Sequence, residues 1–506
     1  MTLIPRQTGV KLRLLKMEEK TLRELKNLIG GELWAPATAA FLDDTDPATG
    51  EVFAKVPASD FRDVDAAVKA AKSAFPGWAR LSAAARGAHL RKLARLIERD
   101  LEIFAAAESR DTGKPLALAA SVDIPRAIQN FDFFADAATQ FSSESHATPD
   151  SLNYTLRSPL GAVACISPWN LPLYLLSWKI APALAAGNTV VAKPSEVTPM
   201  TAAMLGDLSI EAGMPKGVLN LVHGLGPEVG APLVAHEGIS AISFTGSTRV
   251  GRDLAIGAGA RFKKISLEMG GKNATLVFAD ADLELAAREC VRGAFSNQGQ
   301  ICLCGSRILI ERSVYQRFTA RLIERVRALR IGDPRDGSTD QGAIVSTAHF
   351  DKIIGCLTLA RAEGGQILCG GTRHLVPGRC ANGLFIEPTL IEGLGPKTRT
   401  NQEEIFGPVA TLQPFDSEAH ALELANAVSY GLAATVFTKD LSRAHRVSSE
   451  LRAGIVWINC WMQRDLRTPF GGIGESGVGR EGGLEAMRFF TEPKNVCVKL
   501  ESAPSP

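Results

Sequence analysis

Cys302 is the candidate nucleophile of this chain, and it lies in the segment Phe295-Ser-Asn-Gln-Gly-Gln-Ile-Cys-Leu-Cys-Gly-Ser-Arg307. A thiolate is a strong nucleophile, and the glycine and amide residues before Cys302 let the backbone come close to a bound ligand. The alternative is an inert core residue, which is what most cysteines are. Cys302 and Cys304 are separated by one residue, which is not the spacing of the usual metal or redox pairs. The segment favours Cys302 over the other cysteines without deciding its role.

Glu268 is the candidate base, in the segment Leu267-Glu-Met-Gly-Gly-Lys-Asn273 at the end of a predicted strand. A carboxylate in an apolar, glycine-rich turn can have a raised pKa and accept a proton near neutral pH. Taken alone, the segment fits a solvated turn glutamate better, because turns often carry such residues.

Asn170 is the candidate oxyanion donor, in Ile166-Ser-Pro-Trp-Asn-Leu-Pro-Leu173 directly after a predicted strand. Between two prolines it lies on a rigid turn, from which its side-chain amide could point at a developing negative charge. An asparagine that caps the helix after Pro172 explains the same segment equally well.

Two further loops indicate a dinucleotide site. Lys193-Pro-Ser-Glu196 places a cation and a carboxylate at the carboxyl end of a strand, where open α/β sheets bind ligands. Gly246-Ser-Thr-Arg-Val-Gly251 follows another strand and opens a helix, so its backbone N–H groups could bind a pyrophosphate. Neither this loop nor His223-Gly-Leu-Gly-Pro-Glu-Val-Gly230 is the standard G-x-G-x-x-G motif, and an ordinary turn explains each of them alone.

Alternating strands and helices position these residues. Short β-prone runs separated by helix-length segments such as 201–212 predict a parallel, doubly wound sheet. A second alternation from 273 to about 461 predicts a second α/β lobe. The predicted strands are 162–166, 189–192, 218–222 and 241–244 in the first lobe, and 276–278, 435–437 and 455–458 in the second.

Three segments lie outside both lobes. Segments 142–159 and 488–501 are β-prone, and they could pair with each other or with another subunit through an edge strand. Residues 1–27 form an N-terminal extension whose apolar residues, among Lys, Arg and Glu, predict an amphipathic helix. A transit peptide is the alternative for this extension, although its glutamates disfavour it.

Composition excludes several classes of function. The 506 residues carry a formal net charge of +2, too little for a strong field that would hold nucleic acid or a membrane. Nine cysteines at irregular spacing, with no apolar signal segment before them, predict reduced thiols and a cytoplasmic protein. The histidines are scattered without a pair at ligand spacing, so we expect no metal site.

Taken together, the segments resemble the aldehyde dehydrogenase superfamily from about residue 28 to residue 500. Glu403-Glu-Ile-Phe-Gly-Pro408, Tyr430-Gly-Leu432 and Pro469-Phe-Gly-Gly472 match it as well. The resemblance implies a two-lobed α/β fold with an NAD-binding domain (28–141 and 160–270), a catalytic domain (271–462) and a small β oligomerisation arm (142–159 and 488–501). It also implies a homo-oligomer, either a dimer or a tetramer.

The resemblance also implies roles for single residues. Cys302 would form a thioester with the aldehyde, Glu268 would activate the water that hydrolyses it, and Asn170 with the Cys302 N–H would form the oxyanion hole. Lys193 and Glu196 would hold the adenosine ribose of NAD, Ser247 the pyrophosphate and Glu404 the nicotinamide ribose. The other NAD-binding residues that the resemblance implies are Ile166, Ser167, Trp169, Ser195, Gly226, Gly230, Phe244, Gly246, Val250 and Phe406.

Finer matches concern the substrate. Segments 123–134, 297–304 and 459–467 look most like the 2-aminomuconic semialdehyde dehydrogenases, with the 2-hydroxymuconic enzymes as the main alternative. Both substrates carry a carboxylate remote from the aldehyde, which a guanidinium binds bidentately. Arg126 and Arg464 are the matching arginines, and Trp178 is a third candidate substrate contact. The alternatives are a local pair between Arg464 and Asp465 and an exposed helix position for Arg126.

Three other functions stay open at this point. A betaine-type dehydrogenase is disfavoured because two arginines would repel a cationic aldehyde. A CoA-acylating dehydrogenase is disfavoured because that branch generally lacks the base at Glu268. A crystallin-like structural protein would need none of Cys302, Glu268 and Asn170.

Overall fold

The computed structural model of the protein describes residues 22–500, and most of its chain lies in two sheets covered by helices. The strands are, in chain order, β1 (Arg23–Glu24), β2 (Asn27–Ile29), β3 (Glu32–Trp34), β4 (Phe41–Asp46), β5 (Glu51–Pro57), β6 (Ser145–Thr148), β7 (Ser151–Pro159), β8 (Ala162–Ile166), β9 (Thr189–Lys193), β10 (Leu219–Leu221), β11 (Ile239–Thr245), β12 (Lys264–Glu268), β13 (Ala274–Val277), β14 (Arg307–Glu311), β15 (Gln366–Cys369), β16 (Arg373–His374), β17 (Phe385–Ile386), β18 (Thr389–Glu392), β19 (Val409–Phe415), β20 (Tyr430–Gly431), β21 (Ala433–Phe437), β22 (Ile455–Ile458), β23 (Ile473–Gly474), β24 (Gly477–Val478) and β25 (Thr491–Lys499).

The helices flank these sheets and connect their parallel strands. They are α1 (Phe61–Ala79), α2 (Ala83–Arg99), α3 (Leu101–Thr112), α4 (Leu116–Leu118), α5 (Ile124–Ala137), α6 (Pro172–Ala185), α7 (Met200–Glu211), α8 (Ala231–Ala235), α9 (Thr248–Gly259), α10 (Leu283–Phe295), α11 (Tyr315–Arg327), α12 (Thr347–Ala362), α13 (Arg399–Gln402), α14 (Glu418–Ala425), α15 (Leu441–Glu450) and α16 (Gly483–Phe489).

The first sheet has a parallel centre in the order β12-β11-β8-β9-β10, extended by β24 on one side and by β2 and β3 on the other. Every residue of β8 and β9 is buried, as expected for strands that are covered on both faces. The chain builds outward from β8 in one direction and then returns to add β11 on the other side. Ligands of open α/β sheets bind at such a reversal, outside the carboxyl ends of the strands.

The second sheet has the order β15-β18-β19-β14-β13-β21-β22. The chain enters it directly from the first sheet, because the short segment 269–273 joins the carboxyl end of β12 to the amino end of β13. The carboxyl edge of the first sheet therefore meets the amino edge of the second. The two doubly wound lobes were expected, and each predicted strand lies within two residues of the observed one at both ends.

A third, small sheet has the order β25-β7-β6. Strand β25 pairs with β7 along its whole length, from Thr491 opposite Pro159 to Lys499 opposite Ser151. The two β-prone segments therefore pair with each other, which was the first of the two alternatives. A role of this sheet in assembly stays a prediction.

The N-terminal extension differs from its prediction. Only residues 22–27 of it are described, and they form strand β1 and the first residue of β2 instead of a helix; the prediction for residues 1–21 lies outside the described part. Strand β1 pairs with β5, and Leu28 of β2 pairs with Leu221 of β10. The described residues form strands although their leucines are spaced as in a helix, because pairing with a sheet edge satisfies the backbone N–H and C=O groups. Within residues 22–500 we find no helix with the length and apolarity that a membrane crossing requires.

Arg307 connects the start of β14 with the two neighbouring elements of the second lobe. Its buried guanidinium donates hydrogen bonds to the carbonyls of Lys272 (2.9 Å), Leu424 (2.7 Å) and Ala425 (2.7 Å). These carbonyls belong to the end of α14 and to the link between the lobes, so one side chain satisfies groups from two segments.

We expect Arg307→Met to lower the free energy of unfolding by ~3 kcal/mol, because it removes the described hydrogen-bond donor of the Lys272 and Ala425 carbonyls. The measurement is the shift of the denaturant midpoint at constant slope. Arg312→Met is the matched control, because Arg312 is exposed and bonds only to Asp416 in the described chain. Equal midpoints for the two variants would show that Arg307 is not structural.

Candidate active site

A cavity of about 210 Å³ lies where the two sheet edges meet, and both lobes contribute to it. The first lobe contributes the connections that follow β8 and β11, the two strands at the reversal point. Seven residues predicted from the sequence line this cavity, namely Trp169, Asn170, Gly246, Ser247, Cys302, Glu404 and Phe406.

The loop before Cys302 has an unusual backbone. Asn297, Gln298 and Gly299 all have left-handed conformations, with φ of 51°, 56° and 69°. Gly299 is required, because a Cβ atom there would overlap the carbonyl of Gly407. Asparagine tolerates this region better than most residues, and glycine adopts it freely. The loop thus reverses direction tightly before it reaches Cys302.

The amide of Asn273 fixes the other side of Cys302. Its Nδ2 donates to the carbonyls of Cys302 (2.7 Å) and Cys304 (2.9 Å). Cys302 remains partly exposed and lines the cavity, whereas Cys304 is buried outside it. Burial raises the pKa of the Cys302 thiol, and the nearby Glu268 and Glu404 raise it further. A base must therefore help to remove the thiol proton.

Glu268 ends β12 and is buried, although the sequence alone favoured a solvated turn residue. Both carboxylate oxygens lack a hydrogen-bond partner among the described residues. Burial raises the pKa of Glu268 well above its ordinary value, and the charge of Glu481 raises it further, while Lys179, Arg480 and Arg464 oppose the shift. A carboxyl group with free lone pairs and a raised pKa can accept a proton near neutral pH.

Asn170 does not cap the following helix, which was the alternative for this residue. The N-cap of α6 is Leu171 and has no side-chain cap. The Asn170 Nδ2 instead donates to the carbonyl of Gln300 at 2.9 Å, and this bond joins the first lobe to the Cys302 loop. Because an amide has two N–H donors, one remains for a ligand in the cavity.

The end of β11 has the features of a phosphate site. Ser247 is the N-cap of α9, where its Oγ accepts from the N–H of Val250 at 3.4 Å. Gly246 lies so close to the ring of Phe244 that a Cβ atom would overlap it. The hydroxyls of Ser167 and Thr245 are buried and form no hydrogen bond with the described residues. A helix N-terminus beside unpaired hydroxyls offers donors to a bound anion.

Other predicted cofactor residues lie along the same sheet edge, outside the cavity around Cys302. Lys193 ends β9 and forms an ion pair with Glu196 at 2.6 Å. His223, which the sequence did not single out, is fully buried near Lys193, and burial and this neighbouring charge lower its pKa to about 3. The remaining members of the set are Ile166, Ser167, Ser195, Gly226, Gly230, Phe244 and Val250.

An aromatic cluster closes the cavity on the side of the second lobe. The ring centroid of Trp169 lies 5.3 Å from that of Phe406 and 4.9 Å from that of His349. The Nε2 of His349 donates to the Phe406 carbonyl at 2.6 Å, and burial lowers the pKa of His349 to about 4. Glu404 accepts a hydrogen bond from the Gly271 N–H at 2.9 Å. This places the Glu404 carboxylate at the link between the lobes.

The sequence analysis missed His349 and Lys352, which also line the cavity. Both lie on α12, where Lys352 donates to the carbonyl of Glu404 at 3.1 Å. A histidine and a lysine on an amphipathic helix resemble ordinary surface residues, so no local pattern could have identified them.

Arg126 and Arg464 line a second, open cleft of about 810 Å³. Nη1 of Arg464 donates to the Tyr174 hydroxyl at 2.6 Å, and its guanidinium lies over the rings of Phe470 (4.2 Å) and Trp178 (5.3 Å). Arg126 lies over the ring of Tyr174 at 5.8 Å. Trp178 itself is buried behind Arg464 and lines neither cleft.

The local alternatives for these arginines do not hold. Asp465 pairs with Arg467 (2.5 Å) and not with Arg464. Within residues 22–500, no carboxylate forms an ion pair with Arg126 or Arg464. Arg126 is half-buried on α5 and not an exposed helix residue. The open cleft is thus lined by the Asp465–Arg467 pair and by two guanidinium groups, those of Arg126 and Arg464, that form no ion pair within residues 22–500.

Helix α6 connects the two clefts. Leu175 lines the smaller cavity around Cys302, while Tyr174, the preceding residue, contacts both arginines of the larger cleft.

Comparison with known proteins agrees with this geometry. The aldehyde dehydrogenase family model matches residues 34–496. A 2-aminomuconic semialdehyde dehydrogenase of Danio rerio is 51% identical over 479 residues, which cover 94% of this chain and 98% of the relative. A 2-hydroxymuconic semialdehyde dehydrogenase of Pseudomonas sp. (strain CF600) is 45% identical over 486 residues, which cover 95% of this chain and 100% of the relative.

A solved structure extends the likeness to three dimensions. The indole-3-acetaldehyde dehydrogenase of P. syringae, a mutant in complex with NAD+ and IAA, has a TM-score of 0.93 at 39% identity, with 99% of this chain and 100% of that chain covered. The expected family and fold are confirmed. The chain belongs to the aldehyde dehydrogenase family.

Proposed function

We propose that this protein is an NAD-dependent dehydrogenase that oxidises 2-aminomuconic semialdehyde to the acid. The observation that carries the proposal is the pair of arginines without a described anionic partner, Arg126 and Arg464, in the cleft beside the Cys302 cavity. A guanidinium binds a carboxylate bidentately, and the proposed substrate carries one remote from its aldehyde. The relative from Danio rerio bears the name of this enzyme.

The second candidate substrate is 2-hydroxymuconic semialdehyde, after which the Pseudomonas relative is named. Because it carries the same remote carboxylate, the arginines fit it equally well. Sequence identity over most of the chain favours the amino compound, at 51% against 45%.

The reaction starts at Cys302. Its thiol proton leaves with the help of a base, and the sulfur attacks the aldehyde carbon to give a hemithioacetal alkoxide. The remaining N–H of the Asn170 amide and the backbone N–H of Cys302 stabilise this oxyanion. The alkoxide then collapses with loss of hydride, which leaves a thioester on Cys302. Bound NAD supplies the acceptor of that hydride.

Glu268 completes the cycle. Its unpartnered, buried carboxylate takes a proton from water, and the resulting hydroxide attacks the thioester carbonyl. The same oxyanion donors serve this second tetrahedral intermediate. Cys302 leaves as a thiolate, and the acid product departs with its remote carboxylate still opposite the arginines.

The residues along the sheet edge fit NAD. The N-terminus of α9 with Ser247 would hold the pyrophosphate, and Glu404 the nicotinamide ribose beside Phe406. Lys193 and Glu196 would hold the adenosine ribose. The Glu196 carboxylate can accept from a 2′-hydroxyl and would repel a 2′-phosphate, which favours NAD over NADP.

We further propose a homo-oligomer, assembled through the sheet of β6, β7 and β25. Leu152, Leu156 and Val498 are exposed on this sheet although they are apolar, as expected of residues that a second subunit covers. The cysteines of the described chain are all free thiols, which favours the cytoplasm as the compartment.

We predict that Cys302→Ala abolishes aldehyde oxidation and leaves the affinity for NAD within about threefold, because the change removes the nucleophile and little volume. Cys304→Ala is the matched control and should keep most of the activity, since Cys304 lies outside the cavity. Steady-state NADH formation and NAD titration measure both effects. An inactive Cys304 variant beside an active Cys302 variant would reverse the assignment.

We predict that kcat falls as the pH decreases through the raised pKa of Glu268, because the protonated carboxyl cannot take a proton from water. Glu481→Gln should move this acidic limb to lower pH, since the charge of Glu481 raises that pKa.

Glu268→Gln should give a burst of NADH and then slow turnover. A burst lost together with the steady state would place Glu268 before hydride transfer.

We predict that Arg464→Ala lowers kcat/KM for a muconic semialdehyde on the order of ten- to a hundredfold, because a charge-assisted hydrogen bond to the substrate carboxylate is lost. A neutral aliphatic aldehyde should be much less affected. The ratio of the two losses cancels any general loss of active enzyme. Arg467→Ala is the matched control, since Arg467 already pairs with Asp465. Equal losses on both aldehydes would refute a substrate role for Arg464.

A further inference from the structure

A buried ion cluster lies directly behind Asn170, and the mechanism above does not use it. It consists of Lys114, Glu108 and Asp123, each at most 1% exposed. The Lys114 ammonium donates to Asp123 Oδ2 at 2.5 Å and lies 3.8 Å from Glu108 Oε1. Its remaining bond runs to the backbone carbonyl of Asn170 at 3.0 Å.

The segment that carries Asn170 depends on contacts from outside. It is an irregular connection between β8 and α6, and the start of α6 has no side-chain cap. The Asn170 carbonyl accepts from Lys114 and also from Asn297 Nδ2 at 3.2 Å. Three residues further along the chain, Glu108 accepts from the N–H of Leu173 at 3.5 Å. The cluster therefore holds the backbone at Asn170 itself and again three residues later, at Leu173.

Lys114 is itself firmly placed. It follows α3, and its carbonyl accepts from Ser109 Oγ at 2.7 Å while its N–H donates to Thr112 Oγ1 at 3.3 Å. Asp123 ends the π-helical turn that leads into α5, and Glu108 accepts a second hydrogen bond, from Thr201 Oγ1 at 2.9 Å. The ammonium thus connects Asn170 to the α3, α5 and α7 regions, which lie away from the cavity.

Stability alone does not account for this arrangement. Burying an ammonium and two carboxylates costs desolvation energy, and apolar side chains of similar size often stabilise a core as well. An oxyanion donor, by contrast, must be held within a few tenths of an ångström of its working position before the reaction starts. A rigid, charge-assisted hydrogen bond to its backbone meets that need.

We propose that Lys114, held between Asp123 and Glu108, is a positioning residue that fixes the backbone at Asn170 and so directs the Asn170 amide at the oxyanion. This inference rests on the proposed function, in which Asn170 stabilises the tetrahedral intermediates. Lys114 is buried and lines neither of the two clefts, so in this proposal it acts through Asn170.

A double-mutant cycle in the full-length enzyme tests the proposal. We expect Asn170→Ala to lower kcat/KM on the order of a hundred- to a thousandfold. Lys114→Met should lower it on the order of ten- to a hundredfold in the wild-type background, yet by less than about threefold in the Asn170→Ala background. Equal fold-losses in the two backgrounds would overturn the positioning role.

A second readout separates positioning from general distortion. Alkylation of Cys302 by iodoacetamide passes through no tetrahedral oxyanion, so Lys114→Met should change its rate by less than about twofold. The affinity for NAD should be equally unaffected. An alkylation rate that falls in parallel with kcat/KM would mean that the cluster only supports the Cys302 loop, and would also overturn the proposal.

Asp123→Asn repeats the cycle if Lys114→Met does not fold, because it keeps the size of the side chain and removes one charge. Its matched control is Asp111→Asn, another fully buried carboxyl, which accepts from the Met200 N–H (2.9 Å) and does not contact Asn170. Losses that persist in the Asn170→Ala background, or that Asp111→Asn reproduces, would count against positioning. Full activity of Asn170→Ala alone would instead refute the oxyanion role within the proposed function.

Discussion

The hydrogen bond from the Asn170 amide to the carbonyl of Gln300 holds the two halves of the site in register. Asn170 follows the central strand of the first sheet, whereas Gln300 belongs to the loop of the second lobe that carries Cys302. Both residues are buried, so neither can exchange this bond for one to water. The left-handed turn at residues 297–299 is the backbone that brings Gln300 to that position. The relative placement of Cys302 and Asn170, the proposed nucleophile and oxyanion donor, depends on this contact.

The two clefts differ in charge. The open cleft is lined by three arginines and one aspartate, whereas the cavity around Cys302 is lined by one lysine and one glutamate. Around Cys302 and Glu268, burial disfavours charge and raises the pKa of both groups. Beyond α6, two guanidinium groups lie over aromatic rings without a described anionic partner. In the proposed reaction, the aldehyde end is desolvated in the cavity around Cys302, while the remote carboxylate stays in the open cleft. A cationic aldehyde would meet repulsion along the same path.

For several residues the sequence left two interpretations open, because their burial and their contact partners depend on other parts of the chain. The glycine-rich segment around Glu268 indicated a solvated turn residue, but the folded chain buries Glu268. Asn170 fitted a helix cap equally well, but α6 begins after an N-cap at Leu171, and the Asn170 Nδ2 donates to the Gln300 carbonyl. The alternative for Arg464 was a local pair with Asp465, but Arg467 binds that carboxylate bidentately, and Arg464 lies over the rings of Phe470 and Trp178. Each outcome depends on residues far away in the chain.

The sequence by itself determined the alternation of strands and helices, the two lobes and the loops at the strand ends, because hydrophobic periodicity and turn residues act over a few neighbouring positions. It also singled out Cys302, Glu268 and Asn170, whose motifs are local. Only the tertiary structure decided that the described part of the N-terminal extension joins sheets, and that His349, Lys352 and the ion cluster at Lys114 adjoin the site. Their chemistry arises from contacts between separate elements, and burial and hydrogen bonding across such contacts leave no periodic trace in the chain.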